Sequence, residues 1–186
     1  MPFFQTEIPD LLVFEPRVFE DSRGYFFEAY NEQTFKENGI DLRFVQDNQS
    51  KSSYGVIRGL HYQLNPFGQT KLIRVLEGQI LDVAVDIRQG SPGYGKHFSL
   101  EISAENRKQL LIPAGFAHGF SVLSETATVL YKCDKLYHRE SEAGILFSDP
   151  VLDIDWKIPK GKEIVSEKDA HLPSLSDCRK NFEYKK

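Results

Sequence analysis

Short apolar runs separated by Gly- and Pro-marked breaks fill most of the chain, and few of them carry a helical period. Residues 11–14 (LLVF) read as a short strand closed by Pro16. In FEDSRGYFFEAY (19–30) the pattern breaks at Ser22-Arg23-Gly24 and resumes as a strand over Tyr25 to Tyr30. Asn31 to Gly39 predicts a helix, with Asn31 as N-cap and Gly39 as the left-handed residue after its end. Phe44 and Val45 begin a strand, a polar run follows from Gln46 to Ser53, and an apolar strand resumes at Val56. Lys71 to Ile87 predicts a β-hairpin, two apolar-rich runs joined at Glu77-Gly78. In its second run Leu81, Val83, Val85 and Ile87 share one face, which is core. Ile80, Asp82, Ala84 and Asp86 share the other, which carries two acids into a semi-polar interior or onto a surface. His97 to Ile102, Gln109 to Ile112 and Ala127 to Lys132 are further strands, and Pro113 to Phe120 turns into Ser121-Val122-Leu123. Beyond Asp134 the chain is loop-rich, with a turn of helix opened by the capping box Ser166-Glu167-Lys168-Asp169.

Many short strands and little helix indicate an all-β sandwich or barrel; the regular crossover helices of a parallel α/β sheet are missing. The 186 residues are enough for one domain with a sizeable core, spanning 1–186. A net charge of -4 argues against a general nucleic-acid or membrane-surface binder. Cys133 and Cys178 make neither a disulfide framework nor a zinc pattern. MPFFQTEIPD lacks the basic and apolar regions of a signal peptide, and no window reaches the roughly 18 apolar residues of a membrane helix, so a reduced, cytoplasmic setting is expected. The glycines form neither GxxxxGK[ST] nor GxGxxG opening a helix, and GxSxG is absent, which disfavours ATPase, dinucleotide and nucleophile-elbow chemistry.

The chemistry concentrates around FVQDNQSKSSYGVIRGLHYQ (44–63), which sets Arg58 and His61 three residues apart. Strand alternation puts His61 on the face of Gly59 and Gln63, with Arg58 on the other face or at a rim. Metal-binding β-helix barrels use two His one residue apart plus a Glu. Here the spot reads His61-Tyr62-Gln63 with no Glu soon after, and His97, His118, His138 and His171 are scattered, so metal-free acid–base work is expected. His61 suits a general base. Lys71 can place an ammonium beside a developing oxyanion, Tyr131 can donate a proton, and Asp169 can orient the His ring. Together they describe proton abstraction alpha to a carbonyl and reprotonation. Each also has a plainer reading: a structural His, a solvated Lys, a core Tyr, a turn-capping Asp. Arg23, Arg58 and Arg74 read equally as surface ion-pair partners worth under about 1 kcal/mol each. The residues by themselves leave both readings open.

Four stretches, 19–30, 44–63, KLIRVLEGQILDVAVDIR (71–88) and IPAGFAHGFSVLS (112–124), followed in order by YKCDKLYHRESEAG (131–144) and SEKDAHLPSL (166–175), resemble the dTDP-4-dehydrorhamnose 3,5-epimerases, the dTDP-sugar epimerases of the cupin superfamily. The resemblance implies a cupin-type double-stranded β-helix (jelly-roll) barrel with short peripheral helices. It implies that His61, within RGLH, is the base, that Lys71 steadies the enolate, that Tyr131 protonates from the opposite face, and that Asp169 partners His61. Arg23, Glu28, Gln46, Asn48, Arg58, His118, Glu142 and Lys168 fall at positions used for the nucleotide–sugar, and Tyr137 matches a second pocket tyrosine. It further implies a dTDP-4-keto-6-deoxy sugar substrate, no cofactor or metal, and a homodimer in which Arg23 and Glu28 complete the partner's pocket. A single-centre epimerase of a related 4-keto sugar nucleotide and a non-catalytic sugar-nucleotide-binding barrel are the alternatives.

Overall fold

The computed structural model describes residues 2–185 and is built on two antiparallel sheets whose inner faces share one core. In chain order the elements are β1 (Phe3–Gln5), β2 (Leu12–Phe14), β3 (Val18–Asp21), β4 (Gly24–Phe27), α1 (Glu32–Glu37), β5 (Gln46–Ser53), β6 (Ile57–Gln63), β7 (Lys71–Glu77), β8 (Gln79–Asp86), β9 (His97–Ser103), β10 (Gln109–Ile112), β11 (Phe116–Val122), β12 (Thr126–Cys133), a 3-10 turn (Arg139–Ser141), β13 (Glu142–Gly144) and α2 (Glu167–Ala170). One sheet is ordered β1-β2-β10-β7-β12-β5, the other β13-β6-β11-β8-β9, and β3 with β4 forms a separate ribbon. Apart from β1–β2 and β8–β9, neighbouring strands of these two sheets are not consecutive in the chain, which passes repeatedly between the sheets. This is the cupin-type jelly roll, an all-β fold with two short helices.

The hairpin expected over 71–87 is not formed. β7 pairs with β10 and β12, whereas β8 pairs with β11 and β9. Glu77-Gly78 is instead the corner where the chain leaves one sheet for the other. Gly78 sits at φ +76°, and a Cβ there would run into the Thr126 carbonyl. Two apolar runs about a Glu-Gly break look alike at a hairpin and at a corner, because both flanks are buried in either case.

Both faces of β8 are covered. Leu81, Val83, Val85 and Ile87 lie under the C-terminal segment, against Ile145, Leu152, Trp156, Leu175 and Phe182. Ile80 and Ala84 face the other sheet and pack with Ile73, Val75, Ile112, Phe120 and Val129. Each fully buried aliphatic of this kind contributes about 1.5–3 kcal/mol. The two acids on the inner face are fully buried. Asp86 holds the Arg88 guanidinium at 2.8 Å, and Arg88 also reaches Asp10 at 2.6 Å. Asp82, four residues earlier and so roughly 13 Å along the strand, pairs with a histidine that lines the cavity described below.

Two other expectations change. The polar run from Gln46 to Ser53 is itself the strand β5, and Phe44 and Val45 precede it as irregular chain. Its inward positions are polar because they face a cavity, so no apolar alternation marks it. Phe116 to Phe120 is strand rather than turn; β11 starts just after Gly115. The helix α1 forms as expected, with the Asn31 side chain accepting from the Gln33 and Thr34 N–H groups, and it packs Phe35 on Phe14, Leu72 and Leu111.

Candidate active site

One irregularity in β6 creates the site. Ile57, Leu60 and Tyr62 pack into the outer core, whereas Arg58 and His61 both line one cavity between the sheets. Of the two placements expected for Arg58, the rim holds, since it is exposed and lines the cavity, and the other face does not, because the register with β11 slips by one residue. His118 opposes His61 and Phe120 opposes Arg58, so two steps on β11 match three on β6. Gly59 occupies the slip at φ +103°, where a Cβ would lie 2.5 Å from the His118 carbonyl oxygen.

The opposite wall comes from the other sheet. Tyr131 stands across from Asn48 and Ile73, and Cys133 across from Gln46 and Lys71, so Lys71, Tyr131, Gln46 and Asn48 share the inward face. The Lys71 Nζ lies 5.9 Å from the centre of the Tyr131 ring. The resulting cavity has two lobes. One, of about 470 Å³, is lined by Ser50, Arg58, His118, Lys168 and Asp169 among others. The second, of about 300 Å³, is lined by Gln46, Asn48, Gln63, Tyr137 and Glu142 among others. His61, Lys71 and Tyr131 line both and so mark their junction. Volumes of this size suit a small organic ligand.

Asp169, 108 residues away in sequence, meets His61: its Oδ1 is 2.8 Å from the ring Nε2. The other carboxylate oxygen accepts the Gly59 N–H at 3.1 Å. Ser166 caps α2 by accepting the Asp169 N–H at 3.1 Å. The return half of the expected capping box is not made, because the Asp169 carboxylate is engaged on β6. Partial burial raises this carboxyl, but the hydrogen bond and charge of His61, with the Gly59 N–H, outweigh it and hold Asp169 below the ordinary carboxylate value. With Nε2 engaged, Nδ1 is the His61 nitrogen left to exchange a proton with a ligand.

Burial pushes the Lys71 ammonium below the ordinary lysine value, while Cys133, Asp82 and Glu142 pull it back up. Burial raises the Tyr131 phenol, Cys133 adds to the rise, and Arg58 opposes it. A lysine made easier to deprotonate and a phenol held in its proton-bearing form therefore face an oriented imidazole. That set can remove a proton, steady an enolate oxygen and return a proton.

Around this centre, Arg58 Nε donates to Ser52 Oγ at 3.0 Å, and His118 Nε2 lies 2.7 Å from Asp82 Oδ1. Glu142 accepts from the Tyr137 hydroxyl at 3.2 Å and from Lys168 Nζ at 2.6 Å. Burial lifts the Glu142 carboxyl, yet Lys168, Tyr137 and the charge of His61 leave it lowered. Of the residues singled out from sequence, Arg23 and Glu28 are not brought here. Arg23 is paired with Asp21 at the tip of the β3–β4 ribbon, its side chain 88% exposed, and Glu28 lines a separate depression beside Pro2 and Thr34. Sequence reasoning assigned no role to Asp82 or Ser52. Asp82 had a signal in the acidic inner face of β8, but its partner His118 lay in a stretch read as a turn.

A family model described as dTDP-4-dehydrorhamnose 3,5-epimerase matches residues 5–177. A curated relative of that name from Shigella flexneri is 52% identical over 179 residues, covering 96% of this chain and 98% of the relative. The crystal structure of dTDP-4-dehydrorhamnose 3,5-epimerase from Elizabethkingia anophelis superposes with a TM-score of 0.91 at 53% identity, over 94% of this chain and 96% of that one. A Legionella pneumophila dTDP-6-deoxy-D-glucose-3,5-epimerase, solved in complex with dTDP-4-keto-L-rhamnose, gives a TM-score of 0.90 at 46% identity, over 94% and 93% of the two chains.

Proposed function

The chain belongs to the dTDP-4-dehydrorhamnose 3,5-epimerase family, and we propose that it converts dTDP-4-dehydro-6-deoxy-D-glucose to dTDP-4-dehydro-L-rhamnose in dTDP-L-rhamnose synthesis. The observation that carries this reading is the His61–Asp169 pair facing Lys71 and Tyr131 across one cavity. The 4-keto group acidifies the protons on carbons 3 and 5. His61 takes one through Nδ1, Asp169 stabilises the imidazolium, the Lys71 ammonium holds the enolate oxygen, and Tyr131 returns a proton to the opposite face. The substrate's own carbonyl is the electron sink, so this chemistry calls for no cofactor or metal. Arg58 and Lys168 supply cations for the pyrophosphate, while Gln46, Asn48, His118, Tyr137 and Glu142 contact the rest of the nucleotide–sugar.

The working unit is a cytoplasmic homodimer of 1–186 domains in which Arg23 and Glu28 enter the partner's cavity. Both lie outside their own chain's cavity, and the ribbon beside them exposes Phe19 (51%), Tyr25 (58%) and Phe26 (70%). The test is incubation with dTDP-4-dehydro-6-deoxy-D-glucose in heavy water, followed by NMR. Deuterium and inversion at both carbons are expected, with none for His61→Ala. Labelling at one carbon alone would establish the single-centre alternative; binding without labelling would establish the non-catalytic one.

A further inference from the structure

We propose that Gln63 is a positioning residue that fixes Tyr137 at the rim of the smaller lobe of the cavity by clamping the main chain on both sides of it. The inference rests on the epimerase reading only in naming the ligand, a thymidine diphosphate. Gln63 ends β6 with 4% of its surface exposed. Its Oε1 accepts the His138 N–H at 2.6 Å, and its Nε2 donates to the Leu136 carbonyl at 3.5 Å and to the Phe67 carbonyl at 2.8 Å. Leu136 and His138 are the residues flanking Tyr137, whose own N–H donates to Gln46 Oε1 at 3.0 Å. Three consecutive residues of an irregular loop are therefore held through their backbone by two glutamines of the cavity wall. The brace is doubled next to it, where the His138 ring stacks on Phe67 at 3.7 Å between centroids and 2° between planes.

The Tyr137 side chain is treated differently. The residue is 54% exposed at the rim of the smaller lobe, with only its hydroxyl tied, to Glu142. A ring with two rotatable bonds on a pinned backbone presents a flat surface to a planar ligand at low entropic cost. Only a primary amide can accept from one peptide and donate to its neighbours with the same group. Glutamate would turn a carboxylate toward the Phe67 and Leu136 carbonyls, and leucine would leave three peptide groups unpaired. The position at which a metal-binding barrel carries a second histidine thus serves here as a backbone clamp.

The test uses the full chain, with Gln63→Leu and Gln63→Glu each made alone and together with Tyr137→Ala. Calorimetry reads dTDP binding, and steady-state kinetics read kcat and KM for the 4-keto sugar nucleotide. Both Gln63 variants are expected to weaken dTDP about tenfold and to raise KM alongside, with kcat changed less than about threefold. On the Tyr137→Ala background the further loss shrinks below about twofold, because the clamp no longer has a ring to place. Gln63→Glu retains the size and the acceptor, so it carries the test if Gln63→Leu does not fold. Wild-type dTDP affinity in the variants, full additivity with Tyr137→Ala, or a fall in kcat at constant KM would overturn the proposal. A wild-type protein that neither bound dTDP nor turned over the sugar would instead sink the epimerase reading.

Discussion

Replacing Asp169 by Asn tests the dyad at its least local joint. In the proposed mechanism the carboxylate, 2.8 Å from Nε2, does two things for His61: it sets the proton on Nε2, and it stabilises the imidazolium formed when Nδ1 takes the substrate proton. Charge centres about 4 Å apart at an effective dielectric near 20 interact by about 4 kcal/mol. The His61 side chain is 32% exposed, so solvent screens part of this. About 3 kcal/mol then remains, and at 1.36 kcal/mol per decade it corresponds to roughly a hundredfold in rate. The asparagine amide adds to the loss, since an N–H directed at Nε2 drives the ring proton onto Nδ1 and makes the base a donor. We expect kcat to fall about 10²- to 10³-fold, with dTDP affinity within about threefold because Asp169 holds His61 and Gly59. The assay is the initial rate of deuterium entry at carbons 3 and 5, read by NMR, beside calorimetric dTDP binding. A kcat within fivefold of wild type, or a loss that appeared wholly in binding, would refute the reasoning.

Four further outcomes follow from the same geometry. Asp169 has a folded value below its ordinary 3.8, so its contribution to stability is complete at neutral pH and is lost as pH falls through the folded value; urea unfolding from pH 6 to 3 should show this loss, and Asp169→Asn should flatten it. Tyr131→Phe should still exchange a proton for deuterium at the first centre while product inversion falls by at least tenfold; unchanged inversion would assign the returning proton to another group. Lys71 is lowered from 10.5, so the ammonium is lost, and kcat with it, at a pH below that of an ordinary lysine, while Tyr131, raised above 10.0, keeps its proton; Lys71→Arg should move this alkaline limb upward, and an unmoved limb would exclude Lys71 as its source. Gly59→Ala should cost about 2–4 kcal/mol in denaturant unfolding, from the positive φ and the clash with the His118 carbonyl, and a change under about 0.5 kcal/mol would show that the register slip tolerates a side chain.

The parts of this fold that were legible are those where a residue's surroundings follow from its neighbours in sequence. The helix α1 could be read from Asn31 and Gly39, and β8 from its unbroken alternation, because caps and pleats act over a few residues. β5 could not, since Gln46, Asn48 and Ser50 face a cavity and its inner positions therefore look like its outer ones. For Arg58 the rim placement holds and the other-face placement fails for a related reason: period-2 reasoning assumes an unbroken ladder, and the slip at Gly59 depends on how β11 lies beside β6. The Glu77-Gly78 corner reads as a hairpin turn in sequence because the partners that distinguish the two, β10 and β12 for β7 against β11 for β8, come from later in the chain. Within the site, types outran geometry. His61, Lys71 and Tyr131 could be nominated for their chemistry, whereas the reach of Asp169 across 108 residues, the Asp82–His118 pair and the Gln63 clamp are products of the closed barrel.

Epimerisation also explains why a two-sheet fold suits this chemistry. Inverting a carbon requires proton carriers on opposite faces of the substrate, and one sheet presents side chains to a ligand from one direction only. Here His61 and Arg58 stand on one sheet, and Lys71 and Tyr131 on the sheet facing it. Packed sheets lie about 10 Å apart, which is room for one sugar ring once the intervening side chains are short or displaced. Opening that room removes apolar packing from the inner face of β6. The loss is offset on its outer face, where Leu60 and Tyr62 are covered by the C-terminal segment through Ile145, Trp156, Leu175 and Phe182. α2, on that same segment, delivers Asp169 to the Gly59 N–H and the His61 ring. The piece of chain that restores the core behind His61 is thus the piece that holds its ring, which couples the formation of the outer core to the placement of His61.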